Sequence, residues 1–109
     1  MNSLLNGQLA ALLPNVDMWL WGHEHNLVIY EKYLNVLARC IGHGAFPIGA
    51  HELPATPPHP DIPRTPVVLG TDGSFFNHGY VIMDLDGKAA TLSYYQDSDE
   101  TNPLFTETI

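Results

Sequence analysis

The sequence has little cysteine, little positive charge and no long apolar run, and each deficit excludes a class of protein. Cys40 is its only cysteine, so an internal disulfide and a cysteine-based zinc site are excluded, and a reducing, cytoplasmic setting is expected. No apolar run reaches the roughly 18 residues that a membrane span needs. Four basic residues stand against twelve acidic ones, and the net charge of −8 repels nucleic-acid phosphates. We therefore expect neither a membrane nor a nucleic acid as partner.

Common catalytic and targeting motifs are missing as well. No G-x-S-x-G is present, and the glycine-rich stretch "LGTDGSFFNHG" matches neither a P-loop nor a dinucleotide fingerprint. The N-terminal stretch "MNSLLNGQLAALLPNV" has no basic start and no small-residue cleavage site, so it does not read as a signal peptide. Serine-nucleophile and nucleotide-binding chemistry therefore have no support in the sequence.

The patterns that are present predict one small domain over residues 1–109, mostly of strands with one N-terminal helix. Leucines at near-helical spacing predict the helix over 3–13, which Pro14 ends. The short apolar run "MWLW", at 18–21, predicts a buried strand because turn-forming residues bound it on both sides.

Two further strands are predicted at about 26–31 and 35–42, with a turn near 32–34. The β-branched and aromatic residues of "LVIY" favour strands, although a single helix is the competing interpretation. The stretch "GHGAFPIG" then predicts a loop. Residues 54–66 hold six of the nine prolines and predict an extended surface segment, either a plain connection or a lid over a site.

The final third of the chain contains the clearest local signal. The stretches "YVIMDL" and "KAATLSYY" predict two strands, and Asp86-Gly87 between them predicts a tight hairpin turn. The remaining residues, 97–109, are polar and acidic and predict a solvated tail. The expected fold class is therefore α+β, with strands dominant.

The candidate functional residues are the histidines of "WLWGHEHNLVIY". Side chains at positions i and i+2 of an extended segment point to the same face, so His23 and His25 could reach one metal or two neighbouring metals while Glu24 points away. The competing interpretation is a polar loop with ordinary histidines. Two imidazoles are not a complete site, because a catalytic zinc takes about three protein ligands and a two-metal centre takes more.

The other histidines are weaker candidates for a site. His43 lies between two glycines, whose backbone N–H groups could help to hold an anion. His78 precedes a glycine, and His51 and His59 lie in or beside the proline-rich segment. Each of these, taken alone, is more typical of a surface or hydrogen-bonded histidine than of a ligand.

The order of these features resembles the C-terminal end of the calcineurin-like metallophosphoesterases. The stretches that match are "VDMWLWGHEHNLVIY", "RCIGHGAFP" and "HGYVIMDLDGKAATLSYY". The resemblance implies the C-terminal part of a four-layer α/β sandwich, with two metal ions at the carboxyl ends of the strands. It implies a hydrolase, a phosphatase of phosphate esters, in which His23 binds one metal and His25 binds the other. In such a site His43, because of its flanking glycines, is expected to contact the substrate phosphate. The ions would be divalent or trivalent, manganese, iron or zinc.

The family motifs that come first are not found in this sequence. Asp-x-His, Gly-Asp-x-x-Asp and Gly-Asn-His-Asp/Glu are all absent, and no histidine precedes His23. The chain thus resembles only the last part of the family domain, and by itself it is expected to be inactive or nearly so. Strands that lack their partners from the N-terminal part of the domain should self-associate, as a homodimer or by strand exchange.

Two other interpretations stay open at this point. The chain could be a non-catalytic β-rich binding module, with loop histidines or a single structural metal. It could also be a small self-sufficient metallohydrolase that recruits ligands such as His43, His78 or Asp72 from within the chain.

Overall fold

Strands form most of the regular structure in the computed structural model, which describes residues 7–52 and 65–109. Among these described residues there are eight strands: β1 (Met18–Trp21), β2 (Leu27–Ile29), β3 (Leu37–Ile41), β4 (Thr71–Asp72), β5 (Phe75–Phe76), β6 (Gly79–Asp86), β7 (Ala89–Gln96) and β8 (Phe105–Thr108). Short 3-10 helices lie at Leu13–Asn15 and Gly42–Gly44. The mostly β composition is confirmed. Within the described ranges, no helix is long and apolar enough to cross a membrane.

The predicted N-terminal helix is shorter than expected. Residues 7–9 are helical, 10–12 form a turn, and the 3-10 helix Leu13–Asn15 follows. Pro14 has no N–H to donate to the fourth residue before it, so the chain tightens instead, with Leu12 N–H bonded to the Leu9 carbonyl. The prediction of helix up to residue 13 is therefore wrong at its C-terminal end, and its first residues, 3–6, lie outside the described residues.

The first sheet has the order β1-β3-β2, and its central strand pairs differently on its two sides. β1 runs parallel to β3, with Trp21 beside Cys40, whereas β2 is antiparallel to β3, with Val28 beside the same cysteine. The predicted strands are confirmed and the single-helix interpretation is wrong, but β1 is not buried as predicted: three of its residues are half-buried and Leu20 is exposed. The consequence for the site is that β1 and β3 end at the same edge of the sheet.

The turn between β2 and β3 lies slightly later than predicted. It is centred on Leu34 and Asn35, and the pairing of Tyr33 with Val36 closes it. Both central residues have positive φ, 49° and 68°, as a type I′ turn requires. Asparagine tolerates this conformation readily but leucine does not, and for that reason the sequence does not reveal the turn's centre.

The second sheet is the short pair β4-β5, and the third sheet, of order β6-β7-β8, begins with the predicted hairpin. β6 and β7 pair without interruption from Gly79 opposite Gln96 to Asp86 opposite Ala89. Gly87 has φ of 59°, which a two-residue hairpin loop needs at its first position. The hairpin prediction is confirmed, but the loop is Gly87-Lys88, one residue later than predicted. β6 extends one residue beyond the predicted stretch at each end, and β7 begins and ends one residue later than predicted.

The predicted solvated tail over 97–109 is wrong for its second half. Residues 105–108 form β8, which pairs antiparallel with β7 from Thr91 opposite Thr108 to Tyr94 opposite Phe105. Leu104, Phe105 and Ile109 pack against the core. A strand of four residues with two threonines and a glutamate has too few apolar positions to be recognised without its partner strand.

The main core lies between the first and third sheets. Leu27 and Ile29 of β2 pack with Leu92 and Tyr94 of β7, together with Leu69 from the preceding segment. A second cluster, of Val28, Tyr30 and Cys40, lies on the other face of the first sheet with Trp21 and Ala38. The first sheet is therefore buried on both faces at β2, and this burial explains why β2 is continuously apolar.

A buried ion pair also joins the two sheets. The Arg39 guanidinium in β3 donates from Nε to Glu107 Oε1 at 2.7 Å and from Nη2 to Oε2 at 2.5 Å, and Glu107 belongs to β8. The remaining Arg39 nitrogen donates to the Tyr30 carbonyl, and the Tyr94 hydroxyl donates to Glu107 at 2.6 Å. We call Arg39, Glu107 and Tyr94 the inter-sheet clamp.

Of the predicted proline-rich segment 54–66, residues 54–64 lie outside the described residues.

Candidate functional site

Two glycine- and histidine-containing turns meet at the edge where β1 and β3 end. Because these strands are parallel, the chain leaves both of them on the same side of the sheet. β1 is followed by residues 22–26, which carry His23 and His25 and which we call the His loop. β3 is followed by the 3-10 helix Gly42–Gly44, which carries His43 and which we call the glycine turn. The topology thus brings together two motifs that are about twenty residues apart in sequence.

The two turns touch through their backbones. A Cβ atom built on Gly42 would overlap the carbonyl oxygen of Glu24 and would lie 3.5 Å from the Cα of Gly22. A Cβ atom on Gly22 would lie 3.9 Å from the Cα of Gly42, which is ordinary van der Waals contact. Gly42 is therefore required for this approach, whereas Gly22 is not.

The His loop does not have the extended geometry that the sequence suggested. Residues 23–26 form consecutive bends, His23 has φ of 75°, and the Asn26 N–H donates to the Glu24 carbonyl. The rule that places i and i+2 on one face therefore does not apply, and the extended-segment prediction is wrong. The reason is that this segment pairs with no strand and must reverse direction to enter β2.

The Cys40 thiol of β3 bonds to the backbone of the His loop and helps to hold the loop on the sheet. The thiol lies 3.6 Å from the Glu24 carbonyl and 3.5 Å from the Asn26 carbonyl, so its proton bonds one of them at a time. The residue is fully buried, and burial raises the pKa of the thiol, so it keeps its proton and remains a donor. The Leu27 N–H in turn donates to Asn26 Oδ1 at 2.7 Å.

The side chains of the His loop are open to ligands. His23 and Glu24 are exposed and His25 is half-buried. Within the described parts of the chain, no hydrogen bond or ion pair engages either imidazole, so both ring nitrogens of each are available. Imidazole is a ligand that zinc, iron and copper accept, and the two residues therefore fit a metal by their chemistry.

The donor set is nevertheless incomplete. Among residues 7–52 and 65–109, no group of three or more histidine, cysteine, aspartate or glutamate side chains is placed to hold a metal ion. The interpretation as a self-sufficient metallohydrolase requires His43, His78 or Asp72 to complete a metal site. The described residues contain no such cluster. The His loop can supply two nitrogen ligands, and any further ligands would have to come from elsewhere.

His43 occupies a different environment from the two loop histidines. Its side chain is 3% exposed and packs against Gly79 at the start of β6, where a Cβ atom would lie 2.6 Å from its Cδ2. Neither ring nitrogen reaches hydrogen-bonding geometry with a described residue. Burial lowers the pKa of His43, and the nearby carbonyls of Tyr95 and Ile41 only partly oppose this effect. The imidazole is therefore neutral near pH 7 and turned into the protein.

This placement bears on the predicted contact between His43 and a substrate phosphate. The ring does not reach the surface in this structure, so its position gives that role no support. The adjoining Gly44 is exposed, and a Cβ atom there would lie 2.9 Å from the carbonyl oxygen of Gly79. The role of His43 stays a prediction.

The remaining predicted candidates that the structure describes form no metal-binding group with the His loop. His78 pairs with Asp97, with 3.5 Å between Nδ1 and Oδ2, and both side chains are about half exposed. His51 lies 3.9 Å from Glu52 with its side chain 81% exposed. Asp72 is exposed on β4, and His59 lies outside the described residues.

Sequence reasoning missed two residues that position the site. Cys40 carries no motif signal, since its role depends on the pairing of β1 with β3. The sequence predicts Gly42 only as a loop residue whose N–H could help to hold an anion. The repeated pairs Gly22-His23 and Gly42-His43, each directly after an apolar strand, are a signal that the two turns could meet. Comparison with protein-family models, with curated proteins and with solved structures finds no match for this chain. The resemblance therefore rests on the residues themselves.

Proposed function

We propose that this chain is the C-terminal segment of a metal-dependent phosphoesterase and contributes His23 and His25 as ligands of its dinuclear metal centre. The observation that supports the proposal most is the meeting of the His loop and the glycine turn at the ends of two parallel strands. Loops at the carboxyl ends of neighbouring parallel strands are a common location for active sites, because a rigid sheet fixes their relative position.

The left-handed conformation of His23 is a second supporting observation. A non-glycine residue with φ of 75° costs about 1–3 kcal/mol, and such residues concentrate at functional sites. Glycine or asparagine would adopt this conformation with less strain than histidine. A histidine at this position is therefore consistent with a need for the imidazole itself.

Each part of the proposed site has a defined task. His23 and His25 hold the metal ions by their ring nitrogens, Cys40 and Gly42 hold the His loop on the sheet, and the glycine turn lies beside it. When bound, two metal ions polarise the phosphoryl oxygens of a phosphate ester and lower the pKa of a water molecule. The ions would also offset the protein's charge of −8 toward an anionic substrate. Alone, with two ligands, the chain is expected to have little or no activity.

A metal titration tests this proposal. The purified chain is titrated calorimetrically with Mn²⁺ and with Zn²⁺ beside a His23→Ala/His25→Ala variant and a His51→Ala variant. His51 is the matched control, because it is an exposed histidine far from the His loop in sequence. We expect weak binding by the chain, binding at least about tenfold weaker in the double variant, and no change in the control.

Two outcomes would count against the proposal. If the double variant bound metal as well as the parent, the histidines would be ordinary loop residues. If His51→Ala lost as much affinity as the double variant, binding would be a property of exposed histidines in general. The proposal also predicts that the coding sequence upstream contains Asp-x-His and Gly-Asn-His-Asp/Glu, and their absence there would contradict it.

A second candidate function is a non-catalytic β-rich binding module. The observation that favours it is the lack of a third ligand among the described residues. In that case the histidines are surface residues or hold one structural metal. Binding of a single ion that raises the melting temperature, with no dependence on an upstream segment, would favour this candidate.

A further inference from the structure

From Tyr80 to Asp86, strand β6 forms a free edge of the third sheet, whereas at Gly79 the glycine turn lies against the strand. The sheet order is β6-β7-β8, so within the described chain β6 pairs on one side only. All eight residues, Gly79–Asp86, are in continuous register with β7, with no bulge. Half of the backbone N–H and C=O groups of such a strand point away from its neighbour and can pair with another strand.

This edge has few of the features that usually prevent strand pairing. The stretch "GYVIMDLD" contains no proline and no lysine, and its only charges are two aspartates near the hairpin end. Six of its eight residues are exposed. The exposed apolar side chains are Tyr80 at 40%, Ile82 at 44%, Met83 at 41% and Leu85 at 75%.

The apolar face of β6 extends beyond the core of its own chain. Val81 packs against the main core, and it lies opposite Tyr94 of β7. Met83 and Leu85 lie on the same face, because side chains alternate along a strand, but they become progressively more exposed toward the hairpin loop. A second apolar strand laid against this edge would cover them.

We propose that two copies of this chain associate by antiparallel pairing of their β6 strands, with Met83 on the two-fold axis. The two third sheets then form one continuous six-stranded sheet. In this register Val81 of each copy lies opposite Leu85 of the other, and the two Met83 side chains are adjacent. The apolar row of one copy thus continues into that of the other.

The charges of the edge select this register. With Met83 at the centre, each aspartate lies opposite an apolar residue, Asp84 opposite Ile82 and Asp86 opposite Tyr80. A shift that centres the pairing on Asp84 places the two Asp84 carboxylates side by side, which is destabilising. The opposite shift centres it on Ile82 and leaves Leu85, the most exposed apolar residue of the edge, opposite Gly79.

The net charge of the chain predicts how this association responds to salt. Each copy carries −8, so the two copies repel each other over a distance that salt shortens to about 10 Å at 0.1 M. The dimer should therefore become stronger as ionic strength rises, which is the reverse of an association held by salt bridges.

Sedimentation velocity with matched lysine variants tests the proposed interface. Leu85→Lys places a charge on the edge at a side chain that is 75% exposed, so folding is not threatened. Val68→Lys likewise replaces an exposed apolar residue with lysine, at a position 61% exposed outside the edge. We expect the parent and Val68→Lys to dimerise at 0.5 M salt, and Leu85→Lys to be at least tenfold weaker in dimerisation. A monomeric parent, or a dimer that Leu85→Lys leaves intact, would overturn the proposal.

Cysteine cross-linking tests the register separately. Directly opposite residues have Cβ atoms about 4.5–5.5 Å apart, so Met83→Cys should form an intermolecular disulfide or react with a short thiol cross-linker under mild oxidation. Cys40 is fully buried and should not react with oxidant or cross-linker. Leu85→Cys should not cross-link to itself. Efficient cross-linking of Ile82→Cys but not of Met83→Cys would show that the register is wrong. These results do not depend on metal binding, so the proposed function and the interface are tested independently.

Discussion

Individual residues at the end of β3 determine how close the two candidate loops can come. Gly42 touches the backbone of the His loop, and no side chain fits between them. Cys40, two residues earlier, holds the same loop through its thiol. Neither residue is a proposed metal ligand, yet both set the position of the loop that carries the proposed ligands His23 and His25.

Alanine substitutions at Gly22 and Gly42 test which of the two glycines the contact between the His loop and the glycine turn requires. Gly42→Ala should lower the free energy of unfolding by about 1–3 kcal/mol, because its methyl group would overlap a backbone carbonyl. Gly22→Ala should change the free energy of unfolding by no more than about 0.5 kcal/mol, because the nearest atom to its methyl group, the Cα of Gly42, would lie 3.9 Å away. Urea unfolding of both variants measures the difference, and equal effects would show that the two turns do not touch.

His43 illustrates how a histidine can be prominent in sequence and hidden in structure. Glycines on both sides suggested an exposed anion-binding turn, but the ring packs on Gly79 between the first and third sheets. Glycine at 79 leaves the space that the imidazole fills. The contact joins residues 36 positions apart, and no local pattern indicates it.

At the scale of elements, the turn between β2 and β3 carries strain that its sequence could relieve. Leu34 is 53% exposed and has φ of 49°, a conformation that costs a residue with a Cβ atom roughly 1 kcal/mol. Asparagine adopts this conformation more easily and is preferred at the first position of type I′ turns.

Leu34→Asn should therefore stabilise the protein by about 0.5–1 kcal/mol. Leu12→Asn is the control, since Leu12 is similarly exposed, at 58%, but has an ordinary φ of −95°. Thermal and urea unfolding of both variants measures the effect. If both substitutions gave the same change, loss of an exposed apolar side chain, and not relief of strain, would be the cause.

At the scale of the whole molecule, the inter-sheet clamp holds the first sheet on the third. The Arg39 side chain is 4% exposed and that of Glu107 is 13%, so both charges are removed from water and each depends on the other. Burial raises the pKa of Glu107, but the hydrogen bonds from Arg39 and Tyr94 outweigh it and hold the pKa below the ordinary 4.5. The carboxylate is therefore ionised in the folded protein.

Removal of one partner of the clamp should be costly, and removal of both should be tolerated. Arg39→Met leaves a buried carboxylate without its counter-charge, and we expect a loss of about 3–5 kcal/mol. Arg39→Met/Glu107→Leu replaces the pair with apolar side chains, and most of that stability should return. Urea unfolding of the parent, both single variants and the double variant gives the coupling energy. An additive cycle would show that the clamp does not link the sheets.

The pH dependence of the same variants provides a second measurement of the clamp. The pKa of Glu107 is lower in the folded state than in the unfolded state, so its contribution is complete above about pH 4.5 and is lost as the pH falls toward the folded value. The parent should lose stability in this range more steeply than the double variant. Parallel acid-unfolding curves would contradict this account of the Glu107 carboxylate.

The sequence by itself determined the elements whose signals are local. The β1 strand, the two strands around the Leu34 turn and the final hairpin follow from apolar runs, β-branched residues and the Asp-Gly pair, because period and turn chemistry act over a few residues. It also identified His23 and His25 as the candidate ligands. It could not identify β8, whose few apolar residues have meaning only beside β7.

Only the tertiary structure decided which of these elements meet. The parallel pairing of β1 with β3 brings the His loop to the glycine turn, buries Cys40 beneath it and turns His43 inward against β6. Arg39 and Glu107, 68 residues apart, become partners for the same reason. Sheet register and the packing of one sheet on another are collective properties of distant segments, and no window of sequence contains both sides of such a contact.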